Sequence, residues 1–164
     1  NDQAASGFSP TLPAGFTEKR RIASLRTDGS ENILPFVQTG DYFQLVDPVL
    51  DVNVTNPGAS AVLRSLTVPT GLKLRAMFDL SVKGTSGVSN GRTWVSDPDT
   101  ADVSAATGFA YGYGAPTDNA LQINIQVECF TDTSAQIRTR AAFSSSSTSI
   151  GILTRGWIDS RGQS

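Results

Sequence analysis

A chain of 164 residues with 38% hydrophobic and 17% charged residues is long enough to bury a core without covalent staples, and its balance is unlike that of a disordered chain. Thirteen basic against fifteen acidic residues, with no long run of either sign, leave out the electrostatic footprint of a nucleic-acid binder. No apolar stretch reaches the ~18 residues of a membrane span, and no segment has the order of a signal peptide.

Residues 1–17 read as a linker or N-terminal arm, because Gly7, Pro10, Pro13 and Gly15 interrupt any regular pattern. Phe8, Leu12 and Phe16 are its apolar anchors. Residues 18–164 read as a single β-sandwich domain. Since the sequence opens at Asn1 without a methionine, excision from a longer polypeptide is expected.

From Arg20 onward, short apolar runs alternate with Gly, Pro, Asp and Asn, the pattern of a sandwich or barrel. Runs at Arg21–Arg26, Leu34–Gln38, Tyr42–Val46, Val49–Val54 and Val62–Val68 predict strands. The clearest strand is Leu72–Val82, where Leu72, Leu74, Ala76, Phe78, Leu80 and Val82 alternate with Lys73, Arg75, Met77, Asp79 and Ser81. Thr93–Ser96 follows. Leu121, Ile123, Ile125, Val127 and Cys129 then share one face of a second long strand. In Gln136–Phe143, Ile137, Thr139, Ala141 and Phe143 face inward while Arg138 and Arg140 make a basic outer face. Ser149–Ile158 closes a set of roughly nine or ten strands.

Thr27–Ser30, Thr39–Asp41, Asn56–Gly58 and Pro69–Gly71 carry turn chemistry, and the serines 144–147 read as a loop. No window holds a convincing helical apolar period. The fold class expected is all-β, an antiparallel sandwich of jelly-roll type. Its open edges can be covered by packing three chains around an axis, and together with the resemblance given below this makes a homotrimer the expected assembly.

The chain contains no histidine, which removes the usual general base and the commonest zinc ligand. The single cysteine, Cys129, cannot form an intramolecular disulfide and sits on a predicted inward face with no basic activator near it in sequence. Phosphate-loop and dinucleotide motifs are missing, so no nucleotide cofactor is expected. Paired carboxylates are the one catalytic scheme left open. Asp97, Asp99 and Asp102 could supply such a pair, or oxygen ligands to calcium, or simply end a strand in a solvated turn.

Phe109, Tyr111 and Tyr113 alternate with small residues, so their rings share one strand face, suited either to stacking on sugar rings or to a core or subunit interface. Phe109, Tyr111, Tyr113, Asp97 and Asp99 are therefore the candidate ligand contacts, with no catalytic or metal-binding residue assigned. Trp94 and Trp157 read as packing residues whose indole N–H groups each find an acceptor. Lys19, Arg20 and Arg21, like Arg138 and Arg140, read as solvated faces or inter-subunit ion pairs.

Six segments carry a resemblance: residues 12–22 (LPAGFTEKRRI), 26–30 (RTDGS), 36–41 (FVQTGD), 95–99 (VSDPD), 133–140 (TSAQIRTR) and 156–162 (GWIDSRG). In this order they resemble the C-terminal part of a group of bacteriophage tail-fibre and virion structural proteins. In that group Leu-Pro-Ala-Gly-x-Thr follows an upstream domain, and the closing motif is Gly-Trp-Ile-Asp-Arg-Arg-Gly, where this chain has Ser160. The resemblance implies a non-enzymatic virion component, a distal tail-fibre module attaching to bacterial surface saccharide or protein. The alternatives are a capsid decoration or head fibre that binds other virion proteins, and a glycan-degrading tailspike fragment. Neither nucleic acid nor membrane insertion is expected.

Overall fold

The computed structural model describes residues 12–17, 21–84, 92–103, 113–114, 122–142 and 148–160. Among them there is no helix, and nine strands form two antiparallel sheets. The strands are β1 (Phe36–Thr39), β2 (Tyr42–Thr55), β3 (Val62–Ser65), β4 (Arg75–Gly84), β5 (Arg92–Ser96), β6 (Tyr113–Gly114), β7 (Gln122–Phe130), β8 (Gln136–Ala141) and β9 (Thr148–Ile158). One sheet has the order β1-β2-β9-β4-β7 and the other β3-β8-β5-β6. The all-β expectation holds.

Alternation builds the core. Leu74, just before β4, and Ala76, Phe78, Leu80 and Val82 of β4 are buried, together with Val127 of β7 and Ile150 and Ile152 of β9. They pack in one cluster with Val95 and Ile137 of the smaller sheet. Each large side chain taken fully from water contributes about 1.5–3 kcal/mol. At one end of the core Trp157 stacks on Phe43, centroids 5.5 Å apart at 4°. The Trp157 indole N–H, contrary to expectation, is buried without an acceptor among the described residues.

The runs at Tyr42–Val46 and Val49–Val54 are one strand, not two. Pairing with β9 jumps between Gln44 and Val49 and again between Leu50 and Val52, so Asp47 and Pro48 lie in an irregularity that the ladder steps over. Asp51 is the extra residue of the second jump. Its carboxylate accepts the backbone N–H of Thr67 at 2.7 Å and the hydroxyls of Thr67 and Thr154 at 2.6 and 2.5 Å, tying β2 to the connection after β3. Val62–Val68 correspondingly ends as a strand at Ser65.

Arg21–Arg26 is not a strand. Arg21 and Ser24 turn their side chains onto the buried Asp159, and ladder pairing nearby is limited to the isolated bridge Thr27↔Ile33. The Arg21 expected on a solvated face is thus held by an acid of its own chain. Lys19, Arg20, Phe8 and the serine tract 144–147 lie outside the described residues, whereas Phe16 is 67% exposed.

The candidate functional site

Asp97-Pro98-Asp99-Thr100 forms the turn that ends β5, with Pro at the position whose φ it pre-sets. Thr100 N–H bonds Asp97 O at 3.1 Å, and the Asp97 carboxylate accepts Asp99 N–H at 2.9 Å. The acids do not converge on one point. Lys73 Nζ lies 2.6 Å from Asp97 and 2.8 Å from Asp99, and Arg140 Nη1 lies 2.5 Å from Asp102. Asp97, then Asp99, holds the Lys73 ammonium above its ordinary pKa. The solvated turn expected here is therefore a cross-linked one, and no group of three acid or thiol ligands occurs among the described residues.

Arg138, expected on a solvated outer face, is 9% exposed. Its Nη2 donates to Pro98 O at 2.5 Å and Thr100 O at 2.8 Å, and Nη1 donates to Ser96 Oγ. A guanidinium fork can bridge two carbonyls in this way, so Arg138 straps the turn onto the face of its own sheet. Arg140 adds a bond to Ala59 O at 3.1 Å.

The strapped turn forms one wall of a cleft of about 810 Å³ at the seam between the sheets. Trp94, Val95, Ser96 and Asp97 of β5 and its end, with residues 100–103 beyond them, line one side. Arg75, Glu128, Cys129 and Phe130 line the other, and Arg140 lies on the outward face of β8 opposite Trp94. Phe130 is 44% exposed, with the Arg75 guanidinium 5.3 Å and the Lys73 ammonium 6.0 Å from its ring centroid. The Arg75–Glu128 pair, 3.3 Å, stands beside it. Burial, with Asp97 adding to it, pushes the Cys129 thiol up to about 12, so this cysteine is neither a nucleophile nor a thiolate ligand near neutral pH.

Of the sequence-predicted contacts, Asp97 lines the cleft and Asp99 sits behind it on Lys73. Tyr113 is placed in β6, its backbone paired with Thr93, while Phe109 and Tyr111 lie outside the described residues. Trp94 lines the cleft and is only 8% exposed, so it is a wall as well as a packing residue. Sequence reasoning missed Phe130. It follows the inward Cys129 and so falls on the parity of Gln122, Asn124, Gln126 and Glu128, a large apolar ring where a polar residue is expected.

Comparison with protein-family models and with curated proteins returns no match.

Proposed function

We propose that the chain is a non-enzymatic attachment module of a virion appendage, a distal tail-fibre domain that holds bacterial surface saccharide in the seam cleft. The observation that carries the reading is the make-up of this cleft: the exposed Phe130 ring offers an apolar face beside the buried wall of Trp94, and Asp102, Glu128, Arg75 and Arg140 surround it with hydrogen-bonding groups. Sugars present that combination, an apolar ring face edged by hydroxyls. Each of the three cleft acids Asp97, Asp102 and Glu128 is paired with a cation rather than with another carboxylate, which favours holding over hydrolysing a glycan.

The order β2-β9-β4-β7 facing β3-β8-β5-β6 supports the jelly-roll form of the sandwich, because from β2 to β9 each strand crosses to the other sheet except at the β5–β6 pair, the pattern of two nested Greek keys. Open edges at β1 and β3 and the exposed side chains Val37, Val46 and Leu63 support a trimer. Repeated display on one particle lets individually weak sites add up.

The test is binding of the labelled domain to host cells and to their isolated surface polysaccharide. Phe130→Ala and Arg140→Ala should each weaken it about tenfold, as expected for losing one stacking or charged hydrogen-bonding contact. Loss of the cell signal on protease treatment with no loss on glycan removal would shift the reading to a protein receptor. Binding only to purified virions would shift it to a capsid decoration.

A further inference from the structure

On the outward face of the larger sheet, antiparallel register aligns three rows across the strands. Thr55, Ser149, Lys83 and Gln122 form the first; Asn53, Gly151, Ser81 and Asn124 the second; Leu50, Leu153, Asp79 and Gln126 the third. Side chains at register positions in antiparallel strands stand side by side on one face. Gly151 contributes no side chain, so the second row sinks there, and a trough of about 410 Å³ opens between Ser81, Asn124, Gln126 and the aliphatic pair Leu50 and Leu153.

We propose that this trough is a second saccharide subsite, taking one neutral hexose or N-acetylhexosamine unit; the proposal rests on the saccharide reading of the seam cleft but uses none of its residues. Its volume falls in the ~300–1,000 Å³ range of small-ligand sites. Gln122 Nε2 donates to Ser81 Oγ at 2.9 Å and to Asn124 Oδ1 at 3.2 Å. Those two bonds orient Ser81 and Asn124 and commit the Ser81 hydroxyl hydrogen and Asn124 Nδ2 as outward donors. Asp79, the one acid among the described lining residues, is balanced by Arg155 at 3.5 Å.

Donors and acceptors on fixed neutral groups, beside an aliphatic wall, match vicinal hydroxyls and a ring's C–H face. A phosphate or sialate would find no unbalanced cation among the lining residues. A protein partner needs about 800 Å² of surface with an aromatic or arginine-rich centre. Among the described residues the lining of the trough contains neither.

Gly151 makes the test clean, because its φ is not in the left-handed region and an added Cβ meets only ordinary contacts, Ser81 Cβ at 3.6 Å and Val52 O at 3.7 Å. Gly151→Leu should therefore fold and fill the trough, and Asn124→Ala, at an exposed position, serves as a second variant. The probes are immobilised neutral oligosaccharides of hexose and N-acetylhexosamine repeats. Amide shifts of the full chain are then followed by NMR with any that bind.

Shifts at Gly151, Ser81 and Asn124, lost in Gly151→Leu with binding weakened at least fivefold, are the result expected. Shifts confined to Trp94, Phe130 and Arg140 overturn the trough and leave the cleft standing. Shifts confined to the trough uphold it and sink the cleft. Silence in both places toward every probe overturns both, whereas trough protection that grows only with protein concentration overturns the trough alone and makes this face a contact between copies.

Discussion

Arg21 and Asp159, 138 residues apart in sequence, meet fork to fork: Nη1 donates to Oδ2 at 2.6 Å and Nη2 to Oδ1 at 2.8 Å. Ser24 Oγ adds a bond to Oδ2 at 2.6 Å, and the Asp159 side chain is 1% exposed. The pair therefore joins the start of the described body to the end of β9. It also joins two of the sequence motifs, because Arg21 belongs to the 12–22 segment and Asp159 to Gly-Trp-Ile-Asp.

Removing the cation leaves a buried carboxylate with only the Ser24 hydroxyl and its remaining polar contacts. Arg21→Ala is expected to cost about 2–3 kcal/mol, below the ~3–5 kcal/mol of breaking a fully buried pair, because the Arg21 side chain is 30% exposed. Urea unfolding would measure it. A change under about 0.5 kcal/mol would mean that water replaces the guanidinium without loss.

Two glycines on β9 should respond to the same substitution by very different amounts. At Gly156, φ is +155° and an added Cβ would run into the Phe43 carbonyl oxygen and crowd Gln44 Cα at 3.0 Å, both backbone atoms that cannot yield. Gly156→Ala is expected to cost about 4 kcal/mol or more, roughly 10 °C in Tm. Gly151→Ala, with only ordinary contacts, should stay within about 1 kcal/mol of the parent. Equal melting temperatures for the two variants would show that β2 and β9 are not in close contact at Phe43.

The long strands were legible because alternation is a local signal. β4 and β7 each bury one parity, and Leu74 to Val82 can be read from the sequence residue by residue. Strand β2 was legible only in halves, since Asp47-Pro48 breaks the period and nothing local tells a bulge from a turn. The segment 21–26 looked like a strand because its apolar spacing is strand-like, but its place is fixed by a side-chain ion pair to a residue at the other end of the chain. The cleft was half visible: Asp97 stood out as an acid in a turn, whereas Arg140, Glu128 and Phe130 join it only through the crossing of β5, β7 and β8.

Arg138 is expected to set the order of the cleft wall. Arg138→Ala leaves Pro98 O and Thr100 O without this donor and should cost about 1–3 kcal/mol. Arg138→Lys restores the charge but not the fork, so it should recover little. Hydrogen exchange of residues 97–103, faster in both variants while β4 and β9 stay protected, is the expected readout. Unchanged exchange in that segment would assign its order to Lys73 and Arg140 instead.

Cys129 ties alkaline stability to the same seam. Burial and Asp97 raise its folded pKa from the ordinary 9.0 to about 12, opposed more weakly by Lys73 and Arg138. The folded protein therefore keeps the thiol proton over a range in which the unfolded chain gives it up. The contribution is complete below pH 9.0 and is lost as pH rises toward about 12, so stability should decline across that window. Cys129→Ala should flatten the decline, a comparison that cancels the other groups titrating there. At pH 8 the same thiol should alkylate with iodoacetamide roughly a thousandfold more slowly than an exposed cysteine, in proportion to its thiolate fraction. A rate near that of a free peptide would show that the cleft lets water and reagent reach Sγ, and the raised pKa and the apolar wall at Cys129 would fall together.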